Sequence, residues 1–87
     1  VGKVAAEVKS AVKVPVFAKL SPNVRELVAV ARAVEAAGGD GITAISTVRA
    51  MSIAPDVARP VLGRKFGGLS GPGIKPLGVR SVFQIYE

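Results

Sequence analysis

The first 37 residues divide into three segments by their pattern of apolar and polar positions. In residues 1–13 apolar side chains recur at helical spacing and charged side chains take most other positions, which predicts an amphipathic helix. Residues 14–20 are almost entirely apolar and predict a buried strand. Pro15 ends the helix, because the residue before a proline favours extended geometry. Asn23, with a glutamate three positions later, has the form of a capping box, so a second helix is predicted over residues 23–37.

The remainder of the chain contains a second strand, a long loop and a third helix. The β-branched segment GITAIST, residues 41–47, predicts the strand. Residues 48–66 are irregular, and loops of this length inside compact domains are usually functional. Within them RPVLGRKF (59–66) is expected to form a small hairpin. The glycine-rich segment GGLSGPGIKP (67–76) then leads into a helix predicted over residues 76–87. The apolar face of that helix is predicted to consist of Val79, Val82, Phe83 and Tyr86.

Strands that alternate with helices indicate βαβ units and a parallel sheet. The chain therefore contains about two βα units and a preceding helix. Two parallel strands cannot cover both faces of such a sheet, so we expect the segment to be about a quarter of a larger α/β domain. Either a (β/α)8 barrel or a doubly wound sheet would contain it. The chain begins with valine and has no initiator methionine, as expected of an internal segment.

Composition excludes several classes of function. No run approaches the roughly 18 to 20 apolar residues that span a bilayer, and the first residues lack the apolar block of a signal peptide. There is no cysteine and no histidine, which removes the commonest metal ligands, so we expect no metal site. The net charge is +6, but the basic residues never form a run and few aromatic residues accompany them. We therefore expect no nucleic-acid partner.

Three polar features coincide with the ends of the predicted strands. Lys19 is the second-last residue of an apolar strand, where its ammonium group either reaches solvent or binds a ligand. Ser46 and Thr47 end the second strand and would lie at the same edge of a parallel sheet, although hydroxyls there often only complete local hydrogen bonds. The glycines of residues 67–76 would suit either a tight turn or a phosphate site built from backbone N–H groups. Together the three features predict a site for an anionic or phosphorylated ligand.

Three motifs carry a family resemblance. The segments FAKLSPNV (17–24), DGITAIST (40–47) and GGLSGPGIKP (67–76) resemble the class 1 dihydroorotate dehydrogenases, most closely their B-type and archaeal members. The resemblance extends over essentially the whole chain, and the glycine-rich motif is its most specific part. Equal spacings of 26 positions separate Lys19 from Ile45 and Ile45 from Gly71, as between the flavin-contacting residues of that family.

The resemblance implies a (β/α)8 TIM barrel that binds FMN at the carboxyl ends of its strands, with residues 1–87 forming part of that domain. It implies oxidation of dihydroorotate to orotate in pyrimidine biosynthesis, with hydride transfer to flavin N5 and proton transfer to a base. By that resemblance Lys19 lies beside the isoalloxazine ring and stabilises the electron-rich reduced flavin. Ile45 would contact the flavin through its backbone, and Gly71 would donate its N–H to FMN.

Two departures from the family pattern concern the substrate and the base. The family usually has Asn followed by Thr or Ser, both binding the pyrimidine, at the positions of Ser46 and Thr47. Ser46 is shorter and lacks the amide's combined donor and acceptor, so a contact would be lost or bridged by water. The catalytic base, a cysteine in B-type enzymes, lies upstream, so no catalytic residue is expected here and the isolated segment should be inactive.

Other interpretations remain open at this stage. A dihydropyrimidine dehydrogenase-like flavin domain would share the strand-end lysine. A flavin-free barrel lyase or isomerase would use Lys19 as a Schiff-base nucleophile, and a non-catalytic α/β segment would use the same edge only for packing. For a B-type enzyme the resemblance implies a cytoplasmic homodimer or heterotetramer, with an iron–sulfur and FAD electron-transfer subunit as partner.

Overall fold

The computed structural model describes all residues from 1 to 87 and contains three helices and six short strands. The helices are α1 (Gly2–Ala11), α2 (Leu27–Ala36) and α3 (Lys75–Tyr86). The strands are β1 (Phe17–Leu20), β2 (Gly41–Ala44), β3 (Val48–Met51), β4 (Ile53–Ala54), β5 (Arg59–Pro60) and β6 (Phe66–Leu69). Single 3-10 turns, Pro55–Val57 and Pro72–Ile74, precede β5 and α3.

β1 and β2 form a parallel pair, as the order of the elements predicts. Their register places Lys19 opposite Thr43 and Leu20 opposite Ala44. One face of the pair packs against α2, where the buried core consists of Leu20, Ala31 and Val34. Side chains alternate between the two faces of a strand, so Lys19 lies on the face that α2 does not cover. Five partly buried apolar residues surround the core, namely Ala18, Leu27, Val30, Ile42 and Ile85.

The sheets are small and open. The six strands form three separate two-stranded sheets, β1–β2, β3–β6 and β4–β5. The chain is thus a mixed α/β segment, and its strands do not close into a barrel by themselves. None of its helices combines the length and the apolar character needed to cross a membrane.

The second helix begins later than the capping-box pattern predicts. α2 starts at Leu27, and Glu26 takes the cap position without a side-chain hydrogen bond to the helix. The carboxamide of Asn23 instead bonds to Thr47 and Arg49, 24 and 26 positions along the chain. The prediction of a helix from Asn23 is therefore wrong, because a long-range partner displaces the local cap.

Residues 48–66 are more regular than predicted. β3 pairs antiparallel with β6, and β4 pairs with β5 inside the same ribbon. The segment RPVLGRKF (59–66) contains β5 and the first residue of β6, which pair with the earlier strands β4 and β3, and it does not form a hairpin of its own. The first three residues of the glycine-rich segment belong to β6, where Gly67 and Gly68 lie opposite Ala50 and Arg49. Both strand predictions were also too long, since β1 begins at Phe17 and β2 ends at Ala44.

α3 turns a different face to the core than its apolar pattern predicts. Ser81 is buried, and its hydroxyl donates to the Leu77 carbonyl within the helix at 2.8 Å. Ile85 packs against the core beside it. The predicted apolar face is exposed in this structure: Val79, Val82, Phe83 and Tyr86.

A single carboxylate joins α1 to the parallel strands. Asp40 Oδ2 lies 2.6 Å from Lys9 Nζ and accepts a hydrogen bond from Val16 N at 2.7 Å. The Asp40 N–H in turn donates to the Val16 carbonyl at 2.9 Å. The hydrogen bond from Lys9, followed by that from Val16, holds the pKa of the Asp40 carboxyl below its ordinary value of 3.8. Asp40 therefore fixes the start of β2 beside the start of β1.

Candidate functional site at the strand ends

The carboxyl ends of β1 and β2 are held together beyond the last paired residues. Ser46 N donates to the Leu20 carbonyl at 2.9 Å, which continues the parallel pairing past Ala44. Lys19 therefore lies next to the residue that binds the Ser46 backbone. The structure thus places Lys19 and the Ser46–Thr47 segment at one edge, as the sequence predicts.

Lys19 lies on the face of the strand pair away from α2, and its side chain is exposed. Phe17 is on the same face and is 63% exposed. The Phe17 ring occupies the space beside Gly41, because a Cβ added to Gly41 would come within 2.6 Å of it. This face consequently carries an aromatic ring at the base of the strands and a cation near their ends.

Ile45 and Gly71 line one apolar groove of about 650 Å³ between the end of β2 and α3. Gly71 has φ +97°, a conformation that favours glycine. Apart from Gly71 itself and its two chain neighbours, no residue has a heavy atom within 4 Å of where a Cβ on Gly71 would stand. Its N–H makes no hydrogen bond within the chain, while its carbonyl accepts from Ile74 N at 3.2 Å. The groove therefore combines an apolar wall with an available backbone donor.

Thr47 contacts the glycine-rich segment directly. A Cβ added to Gly68 would lie 2.6 Å from Thr47 Cβ and 3.1 Å from Thr47 Cγ2, so the Thr47 side chain occupies the space that Gly68 leaves open. This contact is a physical reason for glycine at position 68, separate from any role in binding phosphate. It joins the second and third of the sequence motifs.

The predicted site residues form two neighbouring groups and not one cavity. Ile45 and Gly71 share the groove beside α3, whereas Lys19 does not line it. Ser46 is partly buried, and Thr47 is exposed and contacts Gly68. No group of three or more potential metal-ligating side chains converges in the structure.

Asn23 was not predicted as a site residue. Its Nδ2 donates to the Thr47 carbonyl at 3.0 Å, and its Oδ1 accepts from Arg49 N at 3.0 Å. The motif SPN places it just after β1, but only the fold brings Thr47 and Arg49 to it. A polar residue four positions after the strand-end lysine was the signal in the sequence, and the capping-box interpretation obscured it.

A parallel strand pair with a lysine, two hydroxyls and a glycine-rich turn at its carboxyl ends defines an α/β protein whose candidate ligand site is at the strand ends. Residues 2–87 match the family model described as dihydroorotate dehydrogenase. The chain belongs to that family, which confirms the resemblance carried by its three motifs.

Curated relatives agree with this assignment. The chain is 54% identical over 80 residues to a protein of Methanocaldococcus jannaschii named dihydroorotate dehydrogenase B (NAD(+)), catalytic subunit, covering 92% of this chain and 26% of that protein. It is 49% identical over 80 residues to a protein of the same name from Desulforamulus reducens, with the same coverage. It is 47% identical over 91 residues to another from Geobacillus sp., covering 100% of this chain and 29% of that protein. The chain thus spans about a quarter of the length of these relatives.

Proposed function

We propose that the full-length protein containing this chain is an FMN-dependent dihydroorotate dehydrogenase, an oxidoreductase of pyrimidine biosynthesis that converts dihydroorotate to orotate. The observation that carries the proposal is the match to the family over residues 2–87. The relatives at about half identity are named as catalytic subunits of the B-type, NAD-linked enzyme. A partner subunit that passes electrons to NAD therefore belongs to the proposal.

The same proposal makes residues 1–87 part of an FMN-binding (β/α)8 barrel. Parallel strands in such a barrel are covered on their outer face by helices and on their inner face by other side chains. In this chain α2 covers one face of β1 and β2, while the other face, with Phe17 and Lys19, is open. The exposed apolar face of α3 supports the same arrangement, because neighbouring βα units would pack against it.

The residues present fit FMN. Gly71 offers an unpaired N–H in an open, positive-φ turn, which suits an anionic oxygen or a ring acceptor. Ile45 supplies apolar surface beside Gly71, whereas the α3 wall of the same groove would be covered by the neighbouring βα units. Bound FMN supplies a two-electron acceptor for the hydride removed from the substrate. Lys19 would bring a fixed positive charge to the side of the flavin where negative charge accumulates on reduction, and preorganised charges of this kind stabilise such species strongly.

Ser46 and Thr47 would bind the pyrimidine. The Ser46 N–H is engaged with the Leu20 carbonyl, so its hydroxyl is the group left for a ligand. Thr47 rests on Gly68, which restricts where its hydroxyl can point. A serine reaches less far than the family's usual asparagine, so a water is expected between Ser46 and the substrate.

Ser46 also favours one second candidate, a flavin enzyme that acts on uracil or thymine in the manner of dihydropyrimidine dehydrogenase. Ser46 departs from the family's usual asparagine at a position that contacts the pyrimidine ring, and that ring is common to both substrates, so this position is compatible with uracil or thymine as well as with dihydroorotate.

Steady-state assays with the full-length protein and its bound flavin separate the two candidates. We expect kcat/KM for dihydroorotate to exceed that for dihydrouracil by at least about 100-fold, the discrimination typical of sites that hydrogen-bond a substrate group. A preference for dihydrouracil would support the second candidate. Reduction of a substrate adduct by borohydride, with no flavin present, would instead indicate a Schiff-base lyase that uses Lys19.

A further inference from the structure

The Asn23 carboxamide joins the segment after β1 to the segment after β2, at residues where the two strands are no longer paired. Its Nδ2 donates to the Thr47 carbonyl at 3.0 Å, and its Oδ1 accepts from Arg49 N at 3.0 Å. These partners fix the orientation of the amide, because a backbone carbonyl only accepts and a backbone N–H only donates. Asparagine is therefore the residue type that satisfies both positions at once.

The two bonds reproduce the pairing of a parallel strand. In a parallel ladder the N–H and C=O of one residue bond to a carbonyl and to an N–H that flank a single residue of the neighbouring strand. Here the carbonyl of Thr47 and the N–H of Arg49 flank Val48. A side-chain amide has the same donor and acceptor as a peptide, so Asn23 acts as one additional strand residue after β1 has ended.

The amide is itself held in place by Ser21. The Ser21 hydroxyl oxygen accepts from Asn23 Nδ2 and from Asn23 N, each at 3.1 Å. The segment after β2 is thus fixed on both sides of Thr47. Ser46 N bonds to the Leu20 carbonyl before it, and Asn23 bonds to Thr47 and Arg49 at and after it.

We propose that Asn23 is a positioning residue for Thr47, setting the place of the hydroxyl that binds the pyrimidine ring. Its carboxamide bonds to the Ser21 hydroxyl and to the backbone of Thr47 and Arg49, so it acts through the Thr47–Arg49 segment and not on the substrate itself. The part of this proposal that concerns substrate binding rests on the proposed function, whereas the clamp on residues 47–49 does not.

The test uses the full-length flavoprotein and the variants Asn23→Ala and Asn23→Asp. Asn23→Asp keeps an acceptor for Arg49 N but puts an oxygen in place of the donor to Thr47. The matched control is Gln84→Ala, which removes an exposed carboxamide of α3 that makes no hydrogen bond within the chain. Two quantities are measured for each variant, hydrogen–deuterium exchange of a peptide spanning residues 45–51 and the steady-state constants for dihydroorotate.

We expect Asn23→Ala to speed exchange in residues 45–51 at least tenfold and to raise KM for dihydroorotate about tenfold, because two hydrogen bonds that order the segment are lost. Flavin content and melting temperature should remain as in the control. Asn23→Asp should give an intermediate exchange rate, since the bond to Arg49 N is kept.

Three results would overturn the proposal. Exchange and KM of Asn23→Ala equal to the control would mean that the clamp orders nothing. Loss of FMN together with a lower melting temperature would make Asn23 a structural residue only. If the unmodified protein does not oxidise dihydroorotate, the proposed function fails. The clamp on residues 47–49 is then tested by exchange alone, and exchange of residues 45–51 in Asn23→Ala equal to that in the control would overturn it.

Discussion

Replacing Gly68 with alanine should disturb the proposed substrate site through Thr47. The new Cβ would stand 2.6 Å from Thr47 Cβ, whereas carbon atoms in good contact are about 3.5–4.0 Å apart. Thr47 or the β6 backbone must therefore move by roughly 1 Å. A displacement of that size at a binding group can lower kcat/KM on the order of 100-fold, and overpacking of this kind costs about 1–3 kcal/mol of stability.

The assay is kcat/KM for dihydroorotate in the full-length protein, measured beside flavin content. Gly63→Ala is the matched control, because a Cβ at Gly63 meets no atom within 4 Å and its φ is not in the left-handed region. The control should behave as the unmodified protein. A Gly68→Ala protein with kcat/KM within about twofold of that control would contradict the proposal that Thr47 binds substrate and is positioned by its contact with Gly68.

Four further changes have defined outcomes in the full-length protein. Lys19→Ala should slow flavin reduction by dihydroorotate about 100-fold or more; unchanged flavin content and activity would remove Lys19 from the site. Val34→Ala should lower the free energy of unfolding by about 2–3 kcal/mol in urea, because Val34 is 1% exposed; a loss below about 0.5 kcal/mol would contradict its core role. Folding lowers the pKa of Asp40, mainly through its hydrogen bond from Lys9. The stability that ionised Asp40 contributes is therefore complete above its ordinary pKa and is lost as pH falls through the lower folded value. Acid titrations of stability should show this loss in the unmodified protein and not in Asp40→Asn. Ser46→Asn should lower KM for dihydroorotate by adding a direct contact, and an unchanged KM would place Ser46 outside the pyrimidine site.

The local pattern of apolar positions was sufficient to predict the helices and the parallel strand pair. Each of these elements depends mainly on contacts between near neighbours and on burial of one face. The start of α2 could not be predicted, because the bonds of Asn23 to Thr47 and Arg49 cross 24 and 26 positions of the chain. A side chain with a distant backbone partner looks the same in the sequence as a helix cap.

The ribbon of β3 and β6 was missed for a related reason. Gly67 and Gly68 lower the strand propensity of residues 66–69, so residues 67–69 were assigned to the glycine-rich segment and Phe66 to the end of a small hairpin. In the structure the same glycines let β6 lie close to its surroundings, with Thr47 filling the space beside Gly68. Two glycines therefore serve packing, and the turn begins only at Ser70 and Gly71.

The strand-end positions of Lys19, Ser46 and Thr47 were predictable because parallel strands bring their carboxyl ends to one edge. The shared groove of Ile45 and Gly71 was implied only by the family resemblance. The positioning role of Asn23 required coordinates, since its geometry depends on the pairing of β1 with β2.

The most direct test of the central claim is the visible spectrum of the full-length protein before and after anaerobic addition of dihydroorotate. The proposed function predicts an oxidised flavin band that bleaches on addition of this substrate. A flavin band that stays oxidised would contradict dihydroorotate as the substrate, and a protein purified with no flavin that also fails to bind added FMN would contradict the proposed cofactor.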